Sequence, residues 1–263
     1  MTSSMNFNLI ERINKELPLS DILIIDAHCH IGPYFSLFLP KSGARDAIEQ
    51  MDRIGINKIV VSATAGITSD FQKANRNILQ ITRSYPGRIL AYGVFNPHYP
   101  EKIEEELEFC FEKNQMVGIK IHSDHGLPYD HENYEKVWKF AQENEMILLA
   151  HTWKEDVHMF DKLARKYSRV RILLGHSCYG ARDSLFRTCK KRDNLYLDLT
   201  YAYRDYGIIE KMVSAVGSER VLFGSDMNWF SQLHGIGSII FSRISNDDKL
   251  NILGRNMDRL LEA

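Results

Sequence analysis

The chain has 263 residues, 44% hydrophobic and 25% charged, with 33 Lys and Arg against 34 Asp and Glu. Those proportions fit a soluble globular protein with a sizeable core and exclude disordered, collagen-like and coiled-coil chains. The balanced charge gives no general basis for binding phosphate backbones, so nucleic acid is not an expected partner. Cys29, Cys110, Cys178 and Cys189 form no C-x-x-C pair and are too few for a disulfide scaffold, which points to reduced thiols and a cytoplasmic setting. There is no apolar run of about 18 residues, so no membrane span is expected, and the first residues lack the apolar core of a secretory signal.

Taken in chain order, an N-terminal extension over residues 1–21 precedes the first β-branched run, ILIIDAH at 22–28. The amphipathic segment ARDAIEQMDRIGI follows, then the run KIVVSAT at 58–64 and the helical pattern DFQKANRNILQITRSY. ILAYGVF at 89–95 leads into PEKIEEELEFCFEKN, VGIKIH at 117–122 into HENYEKVWKFAQENE, and MILLAH at 146–151 into EDVHMFDKLARKY. The last runs are RILLGH at 171–176, LYLDLT at 195–200 and VLFGSD at 221–226, and NDDKLNILGRNMDRLLEA closes the chain as a helix. Each run is apolar until its final residues, as expected of strands buried on both faces. Eight near-equal strand–helix units predict a closed (β/α)8 TIM barrel over 22–263 as one domain rather than an open doubly wound sheet. No G-x-G-x-x-G follows the first run, and neither G-x-S-x-G nor a Walker A sequence occurs.

Chemistry in such a barrel gathers at the C-terminal ends of the strands, and those ends are polar here. They carry His28 and His30, Lys120 and His122, His151, His176, and Asp226. Alternation along a strand puts His28 and His30 on one face, with Cys29 on the other, and would put Asp26 on the face of His28, where it could orient a ligand imidazole. One strand-end histidine is ordinarily a hydrogen-bonded structural residue. Five at one barrel mouth, with a carboxylate, are hard to explain as packing, because an uncompensated buried polar cluster costs several kcal/mol. Imidazoles and a carboxylate are ligands for a divalent metal, Zn²⁺ first, with Mn²⁺ or Fe²⁺ open on ligand type. Around the mouth, Tyr34, Phe35, Phe38, Trp153, Tyr179, Tyr201, Tyr203 and Trp229 are either pocket walls or loop anchors. Arg182 and Arg204 are candidate carboxylate clamps or solvated cations.

The motifs DAHCHIG at 26–32, MDRIGINKIVVSAT, GIKIH, GSD at 224–226 and ILGRNMDRLL at 252–261 resemble the metal-dependent amidohydrolase superfamily over nearly the whole chain. The resemblance is to the branch that includes the ACMS and γ-resorcylate decarboxylases. It implies His28, His30, His151 and Asp226 as metal ligands, with Asp226 also the base for metal-bound water. It implies His176 as a general acid/base or a ligand to a second metal. In superfamily members with two metals, such as urease and dihydroorotase, a fourth-strand lysine carries a bridging carbamate, and GIKIH resembles that strand. Lys120 is then either a carbamate, with two ions, or an unmodified cation pairing with a substrate carboxylate or with Asp124. His122 and Trp153 are expected at the substrate, with a structural His122 as the alternative.

Three functions compete. The first is a hydrolase of an amide, lactone or related carbonyl bond in a small anionic molecule, using metal-activated water. The alternative is a metal-dependent nonoxidative decarboxylase, and the third is a barrel that binds without catalysing. A small molecule is the expected partner, with no membrane, and the sequence leaves a homo-oligomer open.

Overall fold

The computed structural model describes Leu9 and residues 19–201 and 204–263. Most of the expected N-terminal extension, and Tyr203, lie outside the described residues. Eight strands run β1 (Ile25–Ile31), β2 (Lys58–Ala63), β3 (Ile89–Val94), β4 (Gly118–Ile121), β5 (Ile147–Trp153), β6 (Arg171–Tyr179), β7 (Leu195–Asp198) and β8 (Val221–Leu222). They pair in parallel in sequence order, and helices pass back between them, making a single-domain (β/α)8 TIM barrel. Backbone hydrogen bonds from Ala27 N to Phe223 O (2.9 Å) and from Asp226 N to His28 O (2.8 Å) join the two edges.

Two apolar layers follow from side-chain alternation. Ile59 and Val61 face the helices, whereas Val60 joins Ile25, Tyr92, Leu149, Leu173 and Leu222 inside the barrel. The final helix, Asn256–Glu262, packs Met257 and Leu260 against that interior. The polar strand ends stand above this apolar floor.

The first strand begins later than its apolar pattern suggests and continues through both histidines to Ile31. It also contains a β-bulge. From Asp26 to Cys29 β1 advances three residues while β2 advances two, from Ile59 to Val61. The extra residue corrects the expectation that Asp26 shares a face with His28. Ala27 and His28 both turn inward, and Asp26 turns outward to accept from Ser225 Oγ (2.6 Å) and Gln232 Nε2 (2.8 Å). Asp26 therefore ties β1 to the segment after β8 and does not touch an imidazole. Two helices close the last unit instead of the single one read from the pattern, because Gln232–Phe241 precedes the C-terminal segment.

Candidate metal centre

Three strand ends deliver the core of the site. His28 and His30 stand two residues apart past the bulge, Lys120 rises from β4, and Asp226 follows β8. His28 Nε2 and His30 Nε2 lie 3.3 and 3.1 Å from Asp226 Oδ1. One ligand atom from each of these three residues falls within 4.8 Å of the others, the spread of a shared cation. His30 Nε2 and Asp226 Oδ1 make no hydrogen bond of good geometry despite full burial. Buried lone pairs aimed at one point are costly unless something fills it, and imidazole and carboxylate donors suit a first-row divalent cation. The residues fit such an ion.

Burial lowers His28 to about 3, with Lys120 acting in the same direction, and lowers His30 to about 4. Both rings are therefore neutral near pH 7, the state in which a nitrogen can ligate. Burial raises the Asp226 carboxyl, but the facing His28, His176 and His30 rings outweigh it and hold the group below the ordinary carboxylate range. Lys120 is fully buried, with Nζ 2.8 Å from His28 Nε2, and desolvation brings its ammonium down to about 8 against the pull of Asp226 and Asp198. It does not pair with Asp124, one of the partners considered from sequence. Asp124 instead accepts from the Tyr34 hydroxyl and lies 3.7 Å from His122 Nδ1.

His151 stands apart from the group of three. Its Nδ1 is 3.2 Å from His176 Nε2, and its ring centroid is 4.1 Å from that of His122. His176 Nε2 reaches to 3.9 Å from Asp226 Oδ2, which links the two clusters. Burial lowers His176 to about 4 and pushes His122 and His151 well below the usual histidine value. His176 (φ 62°), inside β6, and Asp226 (φ 63°), in the segment after β8, both adopt the left-handed backbone that non-glycine residues disfavour.

Two indoles cover the imidazoles. Trp229 stacks on His30 (4.2 Å between centroids, 5° between planes), and Trp153 stacks on His176 (5.0 Å, 14°). Tyr34 lies against Trp229 at 4.5 Å and, through Asp124, spans from the loop after β1 to the loop after β4. Under this cover exposure ranges only from 0% at His28 to 7% at His151. The arginine candidates are engaged outside it, Arg182 with Asp205 (3.0 Å) and Arg204 with the Tyr201 hydroxyl. Cys29 is buried in the outer apolar layer, as its alternation predicts.

The sequence reading passed over Asp198 at the end of β7. Its Oδ2 is 2.5 Å from His28 Nδ1, and its Oδ1 accepts from Thr200 N and Thr200 Oγ, each at 2.8 Å. The signal was available, since LYLD ends a buried run in an acid much as VLFGSD does. Ser62 Oγ, 3.0 Å from His30 Nδ1, is a second missed partner. Two glycines keep space for this arrangement. A Cβ at Gly224 would meet Asp198 Oδ1 at 2.1 Å, and one at Gly175 would meet His28 Cε1 at 3.0 Å.

The amidohydrolase family model matches residues 25–261. The chain belongs to the amidohydrolase family. No curated protein matches its sequence. Among solved structures, 2,6-dihydroxybenzoate decarboxylase from Rhizobium aligns with a TM-score of 0.71 at 17% identity, over 92% of this chain and 99% of that one. 5-Carboxyvanillate decarboxylase from Sphingomonas paucimobilis aligns with a TM-score of 0.74 at 16% identity, over 92% and 99%. A dihydroxybenzoic acid decarboxylase from Polaromonas, solved with bound manganese and 2-nitroresorcinol, aligns with a TM-score of 0.71 at 17% identity, over 92% and 97%. At such identities the likeness shows the shared fold. Among the described residues of this chain, the His28, His30 and Asp226 cluster is the group of side chains that could hold a divalent metal.

Proposed function

We propose that this amidohydrolase-family enzyme is a metal-dependent nonoxidative decarboxylase of a small aromatic or unsaturated acid. The observation that carries this reading is Lys120, a fully buried ammonium facing His28 beneath an aromatic cover. A cation in a dry cavity is matched by a carboxylate on the substrate. Removing that carboxylate from water raises its energy relative to neutral carbon dioxide, so the dry cavity favours the reaction while the Lys120 contact binds and orients the acid. The similarity to decarboxylases that act on hydroxylated benzoates supports the reading in substrate class.

His28, His30 and Asp226 are the proposed metal ligands, with His151 as the fourth that the resemblance supplies. A bound Zn²⁺ or Mn²⁺ supplies positive charge for a substrate oxygen anion. Lys120 and His122 then bind the acid, and Trp153 forms a wall that excludes water. In the reaction the bond from carbon to carboxylate breaks, its electron pair stays on the ring or alkene carbon, carbon dioxide leaves, and a proton takes its place. His176 is the proposed proton carrier: its Nδ1 has no hydrogen-bond partner among the described residues, and an arriving anion favours protonation of a ring that burial otherwise keeps neutral. The four free cysteines are consistent with a cytoplasmic enzyme, and no helix among the described residues is long and apolar enough to cross a membrane.

Hydrolysis of an amide or lactone is the second reading, favoured by Asp226 Oδ1, which makes no hydrogen bond among the described residues and could accept a proton from an attacking water. Carbon dioxide release across a panel of hydroxybenzoic and unsaturated acids, on protein loaded with Mn²⁺ or Zn²⁺, separates the two. Decarboxylation that Lys120→Met abolishes is expected. Amide or lactone turnover with no carbon dioxide from any acid would overturn the first reading in favour of the second.

A further inference from the structure

His28 is held between two groups that demand opposite things of its two nitrogens. The Asp198 carboxylate, 2.5 Å from Nδ1, can only accept, so it requires a proton on Nδ1. The Lys120 ammonium, 2.8 Å from Nε2, can only donate, so it requires a lone pair on Nε2. The two demands agree on one tautomer, with Nδ1 protonated and Nε2 free to face Asp226. Resting on the metal-centre reading above, we propose that Asp198 is a positioning residue that selects the ligating tautomer of His28.

The carboxylate is itself fixed. Its Oδ1 accepts from the backbone N–H of Thr200 and from the Thr200 hydroxyl, both at 2.8 Å, which leaves Oδ2 directed at the imidazole. The side chain is 1% exposed, and a Cβ at Gly224 would meet Oδ1 at 2.1 Å, so the segment after β8 leaves room for this rotamer. The Thr200 N–H is a donor that cannot be rotated away. An asparagine at this position would therefore keep its oxygen toward Thr200 and turn its NH₂ toward His28 Nδ1. An amide N–H facing Nδ1 requires a lone pair there, which moves the imidazole proton to Nε2. A carboxylate-to-amide change beside a functional imidazole is known to impose the wrong tautomer in this way.

Alanine behaves differently. With no amide to impose a tautomer, His28 Nδ1 can still donate to Thr200 Oγ, which already lies 3.3 Å away. Asp198→Asn and Asp198→Ala remove the same negative charge, so any difference between them reports the tautomer and not the charge. The isosteric variant should bind metal more weakly than the one that leaves a cavity, the reverse of their expected order in fold stability.

The test uses the full chain with Mn²⁺ as probe, free ion being read by electron paramagnetic resonance, and ¹⁵N-histidine spectra of the protein stripped of metal, with His28→Gln to assign the signal. Loss of an outer partner ordinarily weakens metal binding about 10–100-fold. Asp198→Ala is expected near the lower end of that range, with the Nδ1–H pattern retained. Asp198→Asn is expected at or beyond the upper end, with the pattern switched to Nε2–H. Equal affinities in the two variants, or an Nδ1–H signal in Asp198→Asn, would overturn the proposal. If the wild-type protein bound no Mn²⁺, the metal-centre reading would fall, and the spectra of the stripped protein would still decide which His28 nitrogen carries the proton when Asp198 accepts from it.

Discussion

The two halves of the barrel mouth hold the same side chain in opposite ways. On the side of β1, the outer nitrogens of His28 and His30 meet oxygens of Asp198 and Ser62, and the inner ones converge on Asp226. On the side of β4 to β6, His122, His151 and His176 meet mainly one another, with His176 Nδ1 and His122 Nε2 unpartnered among the described residues and an indole stacked on His176. A hydrogen-bonded outer nitrogen fixes a ring's tautomer and angle, which suits ligation. An imidazole without such a partner can take up or release a proton with little rearrangement, which suits general acid/base work. Burial is common to both halves and so does not distinguish them.

That contrast can be broken most directly at the ligands. His28→Ala or Asp226→Ala should abolish stoichiometric Mn²⁺ or Zn²⁺ and all turnover, a larger loss than the about 100-fold upper range for an outer partner. Metal analysis of the purified variants checks this, and full metal content in both would dissolve the distinction. His176→Asn should retain the metal and lose turnover by about 10²–10⁴-fold, the usual contribution of a positioned acid/base. Equal loss of metal in that variant would make both halves ligating. His151 stands between the two predictions, since the resemblance assigns it to the metal and its contacts are with His176 and His122. Metal affinity of His151→Ala therefore sharpens the comparison, and an effect as large as that of His28→Ala would assign it to the first half. The smallest effect is expected at Ser62→Ala, which removes one neutral hydrogen bond from His30. About 1 kcal/mol of stability and roughly tenfold in metal affinity should go, read by chemical denaturation and Mn²⁺ titration.

Much of this was legible before folding. The strand runs at 58–64 and 89–95 are present at nearly those bounds, and the run at 171–176 starts where expected but continues to Tyr179, because parallel strands buried on both faces leave an uninterrupted apolar signature. The polar residues toward the ends of the runs at 22–28, 117–122, 146–151, 171–176 and 221–226 were legible for the same reason, being the departures from that signature. The helical pattern at 100–114 was only partly so: it contains a helical turn, Ile103–Leu107, flanked by tighter and wider turns. Asp198 escaped notice because its role depends on a ring 170 residues earlier in the chain.

The sequence by itself determined the barrel, the inventory of imidazoles, lysine and carboxylate at its mouth, and membership of a metal-dependent family, because each is written in local order and spacing. Only the tertiary structure decided which face each side chain takes past the bulge, which partner fixes each ring, and how the histidines divide into two groups. A bulge is a mismatch between two strands, and a tautomer is a contest between neighbours from different strands, so neither exists until the strands have paired.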